Sequence, residues 1–267
     1  MIASAQRQAG AEGLGPALAA ARTRLWLIAA LLALAAAGWL SSAEEMQGMQ
    51  AGPWTELGTL TWFVGVWTVM MAAMMFPSVA PTVALYSRMT KRRSPVAPFL
   101  FTSGYLVAWT SVGALAFTVA SVGGMVWADV LAWDRAGRWI AGTALVVAAL
   151  YELTPLKDVC LGKCRSPLGF LLGSWRDGYA GALQMGARHG AWCIGCCWAL
   201  MASLFALGIM SVGWMAFVAA LIAAEKIVPW RRVATWGTAA ILLALGVLML
   251  AAPDAIPGLT IPHGMSM

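Results

Sequence analysis

The residues best equipped for chemistry are crowded into ten positions, His189-Gly190-Ala191-Trp192-Cys193-Ile194-Gly195-Cys196-Cys197-Trp198. Three of the chain's five cysteines and one of its two histidines lie there. On a helix, His189, Cys193 and Cys196/Cys197 fall at i, i+4 and i+7/i+8, which sets their donor atoms on one face. The two remaining cysteines, Cys160 and Cys164, are four apart in the preceding segment. Thiolate-rich ligation suits Cu(I), Zn(II) or an iron–sulfur centre, although this spacing is not that of a zinc ribbon. The same C-x-x-C-C and C-x-x-x-C pairs are also candidates for thiol–disulfide exchange. Cysteine is in addition a small apolar packing residue, so a purely structural role is a third reading.

Two further groups carry soft donors. Met70-Met71-Ala72-Ala73-Met74-Met75 forms a thioether stripe, with Met70, Met71, Met74 and Met75 on one helical face and Pro77 just beyond. Thioethers bind Cu(I) without losing a proton, and flexible methionine equally serves as packing. Glu44-Glu45-Met46-Gln47-Gly48-Met49 in the first loop and His263-Gly264-Met265-Ser266-Met267 at the C-terminus combine methionine with acid or histidine, and a seven-span topology with the N-terminus inside sets both on the outer face, as a soft-metal site or, for the tail, a disordered end.

These groups must be positioned by elements suited to lipid. Of 267 residues, 61% are hydrophobic and 10% charged, against about 25% charged in an ordinary soluble domain. The mean hydropathy is +0.78. The net charge of +6 does not indicate a nucleic-acid partner, because the charges cluster in short loops between apolar runs. The chain reads as an all-α polytopic membrane protein, one integral domain in contact with the bilayer. Residues 1–24 form a cytoplasmic segment, 25–252 a helical bundle, and 253–267 a periplasmic tail.

Seven apolar spans are predicted, at about 25–40, 61–86, 99–122, 139–153, 190–207, 214–224 and 234–252. The first competes with a cleavable signal peptide, but its long leading segment favours an uncleaved helix. Residues 156–188 form the longest connection. Phe170, Leu171, Trp175, Tyr179, Leu183 and Met185 there alternate with Arg176, Asp177 and Gln184, as in an amphipathic helix lying on the bilayer. Gly208 to Gly213 supplies the turn between the fifth and sixth spans.

With the N-terminus inside, every Lys and Arg except Arg135 and Arg138 falls on the cytoplasmic side and the C-terminus lies outside. Trp54, Trp62, Trp127, Trp133, Trp139, Trp175 and Trp230 fit interfacial belts. Glu225-Lys226 and Glu152 sit near span ends, where snorkelling to the interface is expected. This topology sets Cys193, Cys196 and Cys197 in the first two turns of the fifth span. It brings Cys160 and Cys164 to the same, reducing side. An odd number of thiols facing that side argues against a disulfide framework and against the oxidoreductase reading. There is no phosphate loop, no Ser-His-Asp set and no carboxylate pair at useful spacing, so an enzyme is not expected.

The blocks Val69 through Pro77, Leu153-Thr154-Pro155-Leu156-Lys157 through Cys160, Cys164-Arg165-Ser166-Pro167, His189-Gly190 through Cys193, Gly195-Cys196-Cys197-Trp198, and Glu225-Lys226 resemble the bacterial integral membrane proteins grouped as DUF2182. The resemblance covers roughly residues 60 to 230. It implies a predicted metal-binding membrane protein, members being sometimes labelled copper chaperones. It also implies that Cys160, Cys164, His189, Cys193, Cys196 and Cys197 are the signature positions. The expectation is a soft-metal protein of the bacterial inner membrane that binds, delivers or translocates its ion and works with a metal chaperone or metalloprotein partner. Copper(I) is the favoured ion and zinc the second. The alternatives are a membrane thiol–disulfide oxidoreductase and an assembly subunit without metal.

Overall fold

A computed structural model describes residues 25–41, 58–90, 94–131, 137–207 and 212–252. All regular structure among them is helical. The elements are α1 (Leu25–Ser41), then α2 (Leu60–Thr90), α3 (Ala97–Leu131), α4 (Arg138–Glu152), α5 (Pro155–Arg165), α6 (Pro167–Gly173), α7 (Gly178–Leu207), α8 (Val212–Ile227) and α9 (Arg231–Ala251). The polar segments around Glu44 and His263, Arg135, and the turn at 208–211 lie outside the described residues.

Among the described residues, three helices, Leu60–Thr90, Ala97–Gly123 and Arg231–Ala251, are long and apolar enough to cross a membrane, and α4 with α5, bent by 68°, passes the same test as a pair. The outer surface agrees with that reading, since Val107, Leu115, Val119, Trp236, Leu243 and Val247 all point outward. Such an apolar exterior is tolerated in lipid and not in water. The chain is a membrane protein.

The bend between α4 and α5 follows from Thr154-Pro155. Proline has no N–H and restricts the residue before it, so it ends one helix and opens the next. Thr154 caps α5 by accepting a hydrogen bond at Oγ1 from the Lys157 N–H at 3.3 Å. The new helix carries Cys160 and Cys164, and it is tied down along its length. Lys157 pairs with Glu152 of α4 and, at 2.8 Å, with Glu225 of α8. Asp158 pairs with Arg231 of α9 at 2.9 Å. Arg165 donates to the carbonyls of Glu225 and Val228 at the end of α8, where a helix leaves acceptors unpaired.

The scaffold of the site is the pair α3 and α7, which approach backbone to backbone. A Cβ on Gly104 would collide with the Leu183 carbonyl, and one on Gly186 with the Phe101 carbonyl. Gly186 and Gly190 are four apart, so small residues on one helical face set this close crossing, as is common between membrane helices. Buried residues of α7 recur as Ala182, Met185, His189, Cys193, Cys196 and Cys197, an unbroken helical stripe facing its neighbours.

Several expectations need correction. No single interfacial helix spans the 156–188 connection. That segment folds as α5, α6 and the first turns of α7, with Phe170, Leu171, Ala182 and Met185 buried in the core. The fifth apolar helix therefore starts at Gly178, not at Gly190. The thiols sit midway along it and not in its first two turns. Arg188 does not mark a loop; it occupies the exposed face of a continuing helix. Lys157 is not a solvated loop charge, and Glu152 and Glu225 do not snorkel: all three are buried.

Candidate metal centre

α7 supplies Cys193, Cys196 and Cys197, and α5 brings Cys164 against them. The Sγ atoms of Cys164, Cys193 and Cys196 all lie within 4.8 Å of one another, with Cys196 and Cys164 3.7 Å apart. Cys196 and Cys197 approach to 3.3 Å. From α2, the Met75 thioether reaches to 3.9 Å from the Cys193 sulfur. All five cysteines are free thiols; Cys164 is half-buried and the other four are buried.

The spacing suits a soft ion. A metal–thiolate bond of about 2.3 Å in a trigonal arrangement separates the sulfurs by about 4 Å. The three-thiol group already has that size. Thiolates and a thioether are the donors that favour Cu(I) over hard cations.

Cys193 is the hub. The Tyr105 hydroxyl of α3 shares a hydrogen bond with its sulfur at 3.1 Å. The Lys226 ammonium of α8 donates to the same sulfur at 3.2 Å and to the Ser78 hydroxyl of α2 at 3.1 Å. The thiolate is the ligating form of cysteine, and negative charge placed in a low-dielectric interior needs a counter-charge. Lys226 stands where that charge would develop.

Cys160 lies over Gly195, where a Cβ would come within 2.8 Å of its sulfur. It seats α5 against α7 but is not among the three converging sulfurs. His189 is likewise outside that group. Its ring is buried against Phe170, with centroids 4.7 Å apart, and faces Phe101 and Tyr105 at 5.9 and 6.1 Å. Its Nδ1 has no hydrogen-bond partner among the described residues. Of the methionine stripe, Met70, Met71, Met74 and Met75 are all buried in α2, and the Met75 sulfur is 3.9 Å from that of Cys193.

Sequence reasoning missed Tyr105, Ser78 and Lys157, and assigned Lys226 to the interface. For Lys226 a signal was present, since Glu225-Lys226 follow a long uncharged apolar run and such a charge marks a buried partner or a functional site; Lys157, beside Asp158 and Lys163 in the polar helix α5, gave none. Tyr105 and Ser78 gave no signal, because their role arises only where α3 packs on α7 and α2 on α8.

Comparison with protein families matches residues 64–249 to the family described as copper chaperone, PpoB2. The matched span runs from α2 into α9, includes every cysteine, and leaves out α1 and the Met/His tail. No curated protein and no solved structure matches the chain.

Proposed function

The chain belongs to the copper chaperone family, and from that premise we propose that it carries Cu(I) within the membrane on Cys164, Cys193 and Cys196, for delivery to a partner. The observation that supports this most is the convergence of three sulfurs from two helices, within 4.8 Å, in a family of that description. Met75 and Cys197 adjoin the three thiols and are the natural exchange ligands as the ion arrives or leaves, since a two- or three-coordinate soft ion passes readily between neighbouring sulfurs. His189 and Cys160 shape the surroundings. Zinc is the second candidate, because it shares the thiolate preference.

For the whole protein we favour seven spans, formed by α1, α2, α3, α4, α7, α8 and α9, with the N-terminus inside and the C-terminus outside a bacterial inner membrane. The distribution of Lys and Arg supports this orientation. It sets α5 and α6 on the cytoplasmic side and the thiols between that side and the bilayer centre. A cytoplasmic metal chaperone or a metalloprotein under assembly is the partner this geometry suits. The grouping with DUF2182 rests on the sequence blocks alone.

Loading detergent-purified protein with Cu(I) under reducing conditions tests the reading. Copper retained by the native chain, in an all-sulfur environment by X-ray absorption, and lost from a Cys164/Cys193/Cys196→Ser variant is the expected result. Copper at background level in the native chain, or equal retention by the folded variant, would sink it.

A further inference from the structure

The bundle buries a second ionisable group that metal ligation does not use. Glu152 closes α4, Lys157 sits in the first turn of α5, and Glu225 lies near the end of α8. Their exposures are 2%, 0% and 1%. The Lys157 ammonium contacts Oε2 of both glutamates.

One ammonium cannot balance two carboxylates. Fully ionised, the trio carries a net negative charge out of contact with water, which is costly in a low-dielectric interior. Oε1 of both Glu152 and Glu225 is moreover buried without a hydrogen-bond partner among the described residues. A proton on one carboxyl makes the trio neutral, and it removes the charge from a carboxyl whose Oε1 has no donor among the described residues. The neighbouring cations do not do this. Arg165 is spent on the backbone carbonyls of Glu225 and Val228, and Lys226 is turned to Cys193 and Ser78. From α4 the Tyr151 hydroxyl donates to the Gly195 carbonyl. From α7 the thiol of Cys197 is within electrostatic reach of Lys157, and from α5 itself Cys160 is one turn away.

We propose that Glu152, Lys157 and Glu225 form a buried proton-binding site that holds one exchangeable proton, and that this proton is released as the thiol site assembles around its ion. The first half stands on the trio alone; the second rests on the copper reading above. Lys157 is the tether of α5 to α4 and α8, and it lies seven residues, two helical turns, before Cys164. With the proton bound, one carboxyl is neutral and grips the ammonium weakly. When the proton leaves to solvent, both carboxylates hold Lys157, and α5 keeps Cys164 against Cys196. Ion binding and proton binding therefore oppose each other, as linked equilibria.

Infrared spectroscopy of the purified, metal-free protein in heavy water tests the first half. The native chain is expected to show the carbonyl stretch of one protonated carboxylic acid at neutral pH, which disappears as the pH is raised. Glu152→Gln and Glu225→Gln each leave one carboxylate with one ammonium, so both variants are expected to lack the band. No such band in the native chain, or its persistence in both variants, overturns the site. Should the variants fail to fold, the band of the native chain and its loss with rising pH decide the matter. For the second half, Cu(I) affinity is measured by chelator competition across pH. The native chain is expected to release one proton more per copper than either variant, the thiol protons being common to all three. Equal counts overturn the coupling. Absence of copper binding by the native chain at every pH overturns the coupling and the copper reading together, and leaves the infrared result to stand or fall separately.

Discussion

Replacing Lys226 with methionine isolates the role of charge at the thiol site. The ammonium is 3.2 Å from the Cys193 sulfur. At an effective dielectric of about 20, two unit charges at that distance attract by about 5 kcal/mol. Desolvation of the half-buried ammonium offsets most of this. If about a third survives in the metal-bound state, roughly 1.5–2 kcal/mol remains, a tenfold to thirtyfold change in affinity. Methionine retains the length and much of the volume of the stem, so packing of α8 against α2 is largely kept, apart from the bond to Ser78. Chelator competition in detergent is expected to show Cu(I) binding weakened by that factor in Lys226→Met. Lys226→Arg, which keeps the charge, is expected to recover most of it. Affinity within twofold of the native value in a folded Lys226→Met protein would refute the idea that this ammonium balances the thiolates.

Other substitutions separate the ligands from the scaffold. Cys164→Ser is expected to reduce the sulfur count at bound copper by one in X-ray absorption, whereas Cys160→Ser is expected to leave that count unchanged, since the Cys160 sulfur packs over Gly195. Gly186→Ala drives a methyl group into the Phe101 carbonyl of α3, and a loss of about 1–3 kcal/mol is expected, read as a lower unfolding midpoint in detergent. A Cβ on Gly237 would meet nothing within 4 Å, so Gly237→Ala is the matching control. It is expected to be neutral or to stabilise by up to about 1 kcal/mol through helix propensity.

How much of this was legible beforehand depended on whether the information was local. The apolar runs that became α1, α2, α3, α4 and α9 are properties of contiguous residues, and their limits came out within a few positions, apart from the far end of α3. The soft-donor face of α7 was equally legible, because i, i+4 and i+7 spacing fixes a helical face whatever surrounds it. The start of α7 was not. Hydropathy took Arg188 as the edge of a span, whereas the helical period runs straight through it: Ala182, Met185 and His189 are buried while Gln184 and Arg188 face outward. Period, not charge, was the better guide there.

What could not be read from the chain is which distant residues meet. Lys157 and Glu225 are 68 positions apart and Lys226 and Cys193 are 33 apart, and each charge taken singly looks like a loop or interface residue. Their burial becomes intelligible only once α5, bent by Thr154-Pro155, lies across α7 and α8. Desolvation then forces the charges to pair, and the same fold that brings Cys164 to Cys196 brings Lys157 to its two glutamates. The thiol group and the carboxylate group are thus not two independent features of the bundle. Both depend on where α5 lies, so a change that loosens α5 at one end is expected to be felt at the other.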